Sequence, residues 1–135
     1  MTSSRIMRSL RSPAAARVIA ASFAVSGIVH FVRPAVFRPL VPKALPEPDA
    51  WIYASGAAEL ACAAGLFANQ QWARPASVAL LLAVWPGNAT YAVKVSRKQG
   101  LTSAASIVGW VRMPMQIPMI IAVWPEASVV PNSAP

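Results

Sequence analysis

Residues 73–93 read ARPASVALLLAVWPGNATYAV, a run whose charge is confined to Arg74. A helix needs roughly 17–25 mostly apolar residues to cross a bilayer, and this run supplies them. Working outward, the same test picks out 15–32, 50–68 and 104–124. The expected fold is an all-α membrane protein: an antiparallel four-transmembrane-helix bundle, with a proline-rich interfacial loop between helices 1 and 2. Residues 15–125 form this transmembrane domain, preceded by a basic N-terminal segment, 1–14, and followed by a disordered tail, 126–135.

Composition agrees. A chain of 135 residues holds one domain at most. At 56% hydrophobic and 12% charged it is far from an ordinary soluble domain. The net charge of +8 raises nucleic acid as a partner, but the basic residues are scattered beside the apolar runs and are not grouped with groove- or base-reading side chains. The lipid bilayer, through its phosphate headgroups, is the expected counter-charge, with no nucleic acid. Cys62 lies alone inside the second run and reads as a small hydrophobe; there is no disulfide framework and no zinc spacing.

Arg5, Arg8, Arg11 and Arg17 ahead of Val18–Val29 have the outline of a secretory signal. Ala20-Ala21-Ser22 lies inside that apolar core and not after it, so the first helix is expected to be retained. The same arginines favour a cytoplasmic N-terminus, although Arg33, Arg38, Lys43, Lys94, Arg97 and Lys98 nearly balance them in the other loops.

Between the first two helices runs RPAVFRPLVPKALPEPD, residues 33–49. Its prolines forbid a continuous helix, yet Val36, Phe37, Leu40, Val41 and Leu45 are too apolar for a solvated linker, so it is expected to lie over the bundle mouth. Asp49 is placed to cap the second helix, and Trp51 suits the interfacial aromatic belt. Ala57, Ala61 and Gly65 repeat every four residues, a small-residue face for close helix packing. Pro86-Gly87 predicts a kink in the third helix, and Lys94, Arg97 and Lys98 with Gly100 are read as the following loop.

Each apolar run carries a polar residue that a bilayer resists: His30, Glu59, Asn88 and Arg112. With alternating spans and a rise of about 1.5 Å per residue, His30 lies near one surface, Asn88 roughly 8 Å, Arg112 roughly 12 Å and Glu59 roughly 14 Å below it. All four then share one half of the membrane. Charges at such depth cost about 2.5–3.5 kcal/mol each on insertion scales and face the bundle interior. Glu59 and Arg112 are the expected pair, with Gln116 one turn below Arg112, Ser55 one turn above Glu59, and Tyr53 and His30 closing the cluster near the mouth. Two readings stand side by side. The pair either fixes helix register as a structural device, or belongs to a ligand-binding or proton-linked site. His30 alone is no metal site, Met113, Met115 and Met119 read as packing, and no nucleophile triad, paired-carboxylate, Walker or Rossmann pattern is present. No catalytic residue is assigned.

At these residues the chain resembles the DoxX-like family of small four-helix bacterial membrane proteins. The matching stretches are Gly27-Ile-Val-His30-Phe31 with Pro34, Phe37, Pro42 and Leu45-Pro46, then Tyr53-Ala-Ser-Gly56-Ala-Ala-Glu59, Pro86-Gly-Asn88 and Arg112-Met-Pro114-Met-Gln116. Gly87 departs from the alanine more usual in that family's central motif. The resemblance implies a multi-pass protein of the bacterial cytoplasmic membrane with both termini inside. It also implies an accessory subunit of a redox or oxidative-stress-related complex, with quinone as a possible ligand and membrane or peripheral proteins as possible partners. The alternatives are a non-catalytic scaffold or assembly partner and, last, a small solute or proton carrier.

Overall fold

The computed structural model describes residues 2–125; the tail expected at 126–135 lies outside them. Among the described residues the protein is all helical. Five α-helices run α1 Thr2–Leu10, α2 Pro13–Val32, α3 Pro48–Phe67, α4 Ala73–Gln99 and α5 Ala104–Val123, with two 3-10 turns, Pro34–Val36 and Arg38–Leu40, between α2 and α3. α2 to α5 are each long and apolar enough to cross a membrane.

Helix α1 falls in the segment read as merely basic. Arg5 and Arg8 occupy one side, Ile6, Met7 and Leu10 the opposite one, and the helix packs against α5. It ends before Pro13, which disfavours helical backbone at the residue preceding it. Ser12 then caps α2, its hydroxyl accepting from the Ala15 N–H at 3.1 Å, with Pro13 in the first turn. Ser103 does the same for α5, accepting from the Ser106 N–H at 3.3 Å.

Two boundary expectations are corrected. Asp49 does not cap α3: that helix begins at Pro48, and its cap residue Glu47 has φ of 49° and no side-chain cap bond. Asp49 sits in the first turn and accepts two hydrogen bonds from Arg38, Nε to Oδ1 and Nη2 to Oδ2, each 2.8 Å. Lys94, Arg97 and Lys98 are not in a loop, because α4 runs on through Pro86 to Gln99. Arg97 and Lys98 thus fill its last turn, where cations suit the negative end of the helix dipole, and Gly100, with φ of 82°, closes it.

The helices form a ring: α2 packs on α3, α3 on α4, α4 on α5, and α5 meets α2 along the thinnest of the four seams. α2 and α3 are closest at two glycines. A Cβ on Gly56 would stand 2.5 Å from the His30 Cβ, and one on Gly27 would stand 3.0 Å from the Gly56 carbonyl oxygen. This contact sets the rotation of α3 and overturns the expected packing face. Ala57, Ala61 and Ala64 point outward, and the buried face is Ile52, Gly56, Glu59, Cys62, Ala63 and Leu66, with Gly65 against Trp72 and Ala73.

One part of the bundle is packed solid. Ile19, Ala20, Phe23, Cys62, Ala63, Leu66, Ala73, Leu81, Ala122 and Val123 form its buried cluster. Beside it Arg74 donates to the carbonyls of Ala122 and Trp124, at 3.4 and 3.5 Å, where α5 runs out of helical partners.

Candidate functional site: a polar-walled cavity under the proline loop

The other part of the bundle is hollow. A cavity of about 760 Å³ is bounded by α2, α3, α4, α5 and the loop 33–47. Most of its wall is apolar: Ile19 and Phe23 from α2, Ile52 from α3, Leu80, Leu81 and Val84 from α4, Met115 and Met119 from α5. Polar side chains enter from every span, namely Ser22, Ser26 and His30, Ser55 and Glu59, Asn88, and Arg112 with Gln116.

The loop is its roof. Phe37, Leu40, Val41, Pro42 and Leu45 all line the cavity. Three contacts hold them there. The Phe37 ring stacks on His30 with centroids 3.6 Å apart. The Leu40 carbonyl lies where a Cβ on Gly87 would be only 2.9 Å away, so the glycine read as part of a kink is a landing place for the loop backbone. Arg38 straps the loop to α3 through Asp49, assisted by the Trp51 indole N–H donating to the Pro46 carbonyl at 3.0 Å. The Asp49 hydrogen bond and charge together raise the Arg38 guanidinium's pKa above its ordinary value.

The expected Glu59–Arg112 pair does not form. Glu59 is 9% exposed, and its nearest cation-capable partner is His30, with Nδ1 3.4 Å from Oε2. Nδ1 also lies 2.8 Å from the Ser26 carbonyl. A carbonyl only accepts, so Nδ1 is assigned the proton. The Ser26 hydroxyl faces the same carboxylate. Arg112 is near enough for its charge to be felt at Glu59, yet it makes no ion pair among the described residues. The two differ in their place on the wall: Arg112 is exposed in the isolated chain, whereas Glu59 is buried on the same face of α3 as Gly56.

Five of the six expected site residues therefore stand on one cavity, His30, Glu59, Asn88, Arg112 and Gln116. Tyr53 does not join them; it is 40% exposed and stacks on Phe31, with centroids 5.6 Å apart, on the outside of the α2–α3 pair. Residue 53 lies about 60° around α3 from residue 56 and about 120° from residue 59, at roughly 100° per residue. The residues missed were Ser26 and Phe37, the two neighbours of His30. Ser26, one turn before His30 in an apolar run, was the available signal.

Polar demand at this wall is unmet. Glu59 Oε2 and Gln116 Oε1 are buried without a hydrogen-bond partner, as is Trp85 Nε1, whose residue does not line the cavity. Asn88 and Arg112 make no hydrogen bond to the described residues. Native proteins pair roughly nine-tenths or more of their buried polar groups, so the two unpaired acceptors at this cavity, Glu59 Oε2 and Gln116 Oε1, call for an explanation.

An all-helical bundle with four span-length apolar helices is the pattern of a multi-pass membrane protein. Within that class, the chain belongs to the family described as a domain of unknown function, DUF8561, whose model matches residues 19–127. This overturns the resemblance to the DoxX-like family: four short motifs shared in order, each built from the glycines, prolines and lone polar residues that small membrane bundles reuse, did not make a family match. The redox and quinone expectations borrowed from that resemblance lose their support with it. No curated protein and no solved structure matches the chain.

Proposed function

We propose that this protein binds an amphipathic small molecule within the membrane, in the cavity beneath the proline loop. α2 to α5 cross the bilayer in alternating directions, with α1 lying along one surface, its arginines toward the headgroups on the cytoplasmic side. The reading rests chiefly on two buried acceptors without a hydrogen-bond partner, Glu59 Oε2 and Gln116 Oε1, on one largely apolar cavity that Asn88 and Arg112 also line. Ligand sites are concave and mostly apolar, with a few convergent polar groups and volumes of about 300–1,000 Å³. Ionisable residues within spans are functional by default, since each carries an insertion cost. The wall offers hydrogen-bonding and charged groups to a ligand, and binding, carriage or presentation is the proposed activity.

The scaffold reading keeps one observation in its favour. Ala57, Ala61 and Ala64 form a small-residue strip on the outer side of α3, a surface on which another membrane helix packs closely. The two readings separate by one experiment. The detergent-purified full chain, heated with and without a total membrane-lipid extract, gains thermal stability through its ligand if the cavity is a binding site. An Asn88→Leu variant loses that gain. Equal melting of both proteins, with and without lipid, would leave only the scaffold.

A further inference from the structure

We propose that the occupant is a phospholipid with a primary ammonium head, seated with the ammonium on Glu59 and the phosphate at Arg112. This rests on the binding reading above and names its ligand.

Three observations converge on that chemistry. First, a carboxylate on α3 and a guanidinium on α5 face one cavity without touching. Glu59 is buried with only His30, at 3.4 Å, as a cation-capable neighbour, Arg112 stands exposed at the rim with no ion pair among the described residues, and a zwitterion set between them would pair both. Second, the enclosed carboxylate oxygen that lacks a hydrogen-bond partner, Glu59 Oε2, is an acceptor, and the Gln116 amide beside the same cavity can present its oxygen as another. They call for a ligand that donates. An ammonium carries three donors, whereas a quinone ring offers only carbonyl acceptors and would give Glu59 Oε2 no hydrogen bond. Arg112, a donor with a planar fork suited to phosphate oxygens, supplies the opposite half.

Third, the cavity has a sideways mouth. On α2, Val18 lines it while 63% exposed, and on α5 Met115 does so at 52%. Ser22 and Arg112, also exposed, flank them. Two of these exposed lining residues belong to α2 and two to α5, the helices that meet along the thinnest seam of the ring, so the proposed opening is there, with Arg112 at its lip. On the opposite side the second 3-10 turn packs on both α3 and α4 and closes the way out. A headgroup drawn through the α2–α5 seam brings its phosphate to Arg112 and its ammonium further in, to Glu59. The acyl chain follows along Ile19, Leu81 and Met119. A cavity of about 760 Å³ takes a headgroup and one chain and leaves a second chain in the bilayer.

The test uses the full chain in a neutral maltoside detergent, read by native mass spectrometry and by thermal midpoint. The probes are lysophosphatidylethanolamine, lysophosphatidylglycerol of the same chain length, a short-chain quinone, and soluble phosphoethanolamine. The ethanolamine lysolipid is expected to give a one-to-one adduct and the largest rise in midpoint. Glu59→Gln should bind it about tenfold more weakly, the value of one charge-assisted hydrogen bond, and erase the preference over the glycerol head. Should Glu59→Gln fail to fold, Val18→Trp at the exposed lip keeps the test alive: it should retain the lipid-free midpoint and lose the adduct. Preference for the glycerol lysolipid or the quinone overturns the ammonium assignment while the binding site stands. Equal stabilisation by soluble phosphoethanolamine overturns the lipid source. No adduct with any probe overturns the binding reading itself.

Discussion

The two parts of this bundle are built from the same residue types and solve opposite problems. Around Ala20, Ala63, Leu66, Ala73 and Val123, small and branched apolar side chains are buried against one another, and Ser77 donates its hydroxyl proton to the Ala73 carbonyl at 2.7 Å. Around Glu59, Asn88 and Gln116, the same four helices leave about 760 Å³ open and the polar groups unpaired. The glycines mark the division of labour. Gly65 lets α3 meet Trp72 and Ala73 in the packed part, whereas Gly87 admits the loop carbonyl that roofs the hollow one. Stability belongs to the first part, and what the second gives up in packing is available for a ligand.

That contrast is open to attack by substitution. The largest expected effect is in the packed part: Leu66→Ala should cost about 2–5 kcal/mol, the usual loss for a buried aliphatic side chain, seen as a lower thermal midpoint in detergent. Gly65→Ala should follow at about 1–3 kcal/mol, because its Cβ would fall 2.7 Å from the Ala73 Cβ and 2.8 Å from the Trp72 ring, and the neighbours must shift to admit it. In the hollow part, although Asn88 is buried, Asn88→Leu should cost no more than about 1 kcal/mol in the absence of ligand, since no protein hydrogen bond is lost. A large loss there would mean that Asn88 is structural and the contrast false. Smallest of all, Arg38→Ala should leave the midpoint nearly unchanged, its ion pair with Asp49 being exposed. Its effect should appear instead as faster amide hydrogen exchange over residues 33–47, where the roof has lost its strap.

Much of this architecture is legible in the sequence, and the reason is lipid. Span-length apolar runs are a strong signal, so the expected ends of the four long helices fall close to those observed, except at the far end of α4. At the start of α2, Pro13 after Ser12 is a boundary signal that an apolar-run test passes over. Beyond Val93, the residues up to Gln99 continue a helix that composition alone reads as loop. The polar positions are visible because each interrupts an apolar run. Their partners are not, because partnership depends on helix rotation. A single contact, Gly27 on Gly56, turns α3 so that Glu59 faces His30, sends Tyr53 and Ala57 outward, and leaves Arg112 alone on its own flank. Nothing in the spacing of one helix discloses how its neighbour will lean on it. The roof illustrates the same limit: Phe37 is recognisably too apolar for a linker, but its stacking on His30 is a tertiary fact.

The central claim is that the hollow part holds a small molecule. The most direct measurement is native mass spectrometry of the full chain, gently extracted from the membrane in which it is produced and compared with its Arg112→Gln variant. A defined additional mass is expected on the native chain at one copy per protein, depleted in the variant while both retain the same helical content. A native chain that flies at its bare mass, indistinguishable from the variant after the mildest extraction, would contradict it.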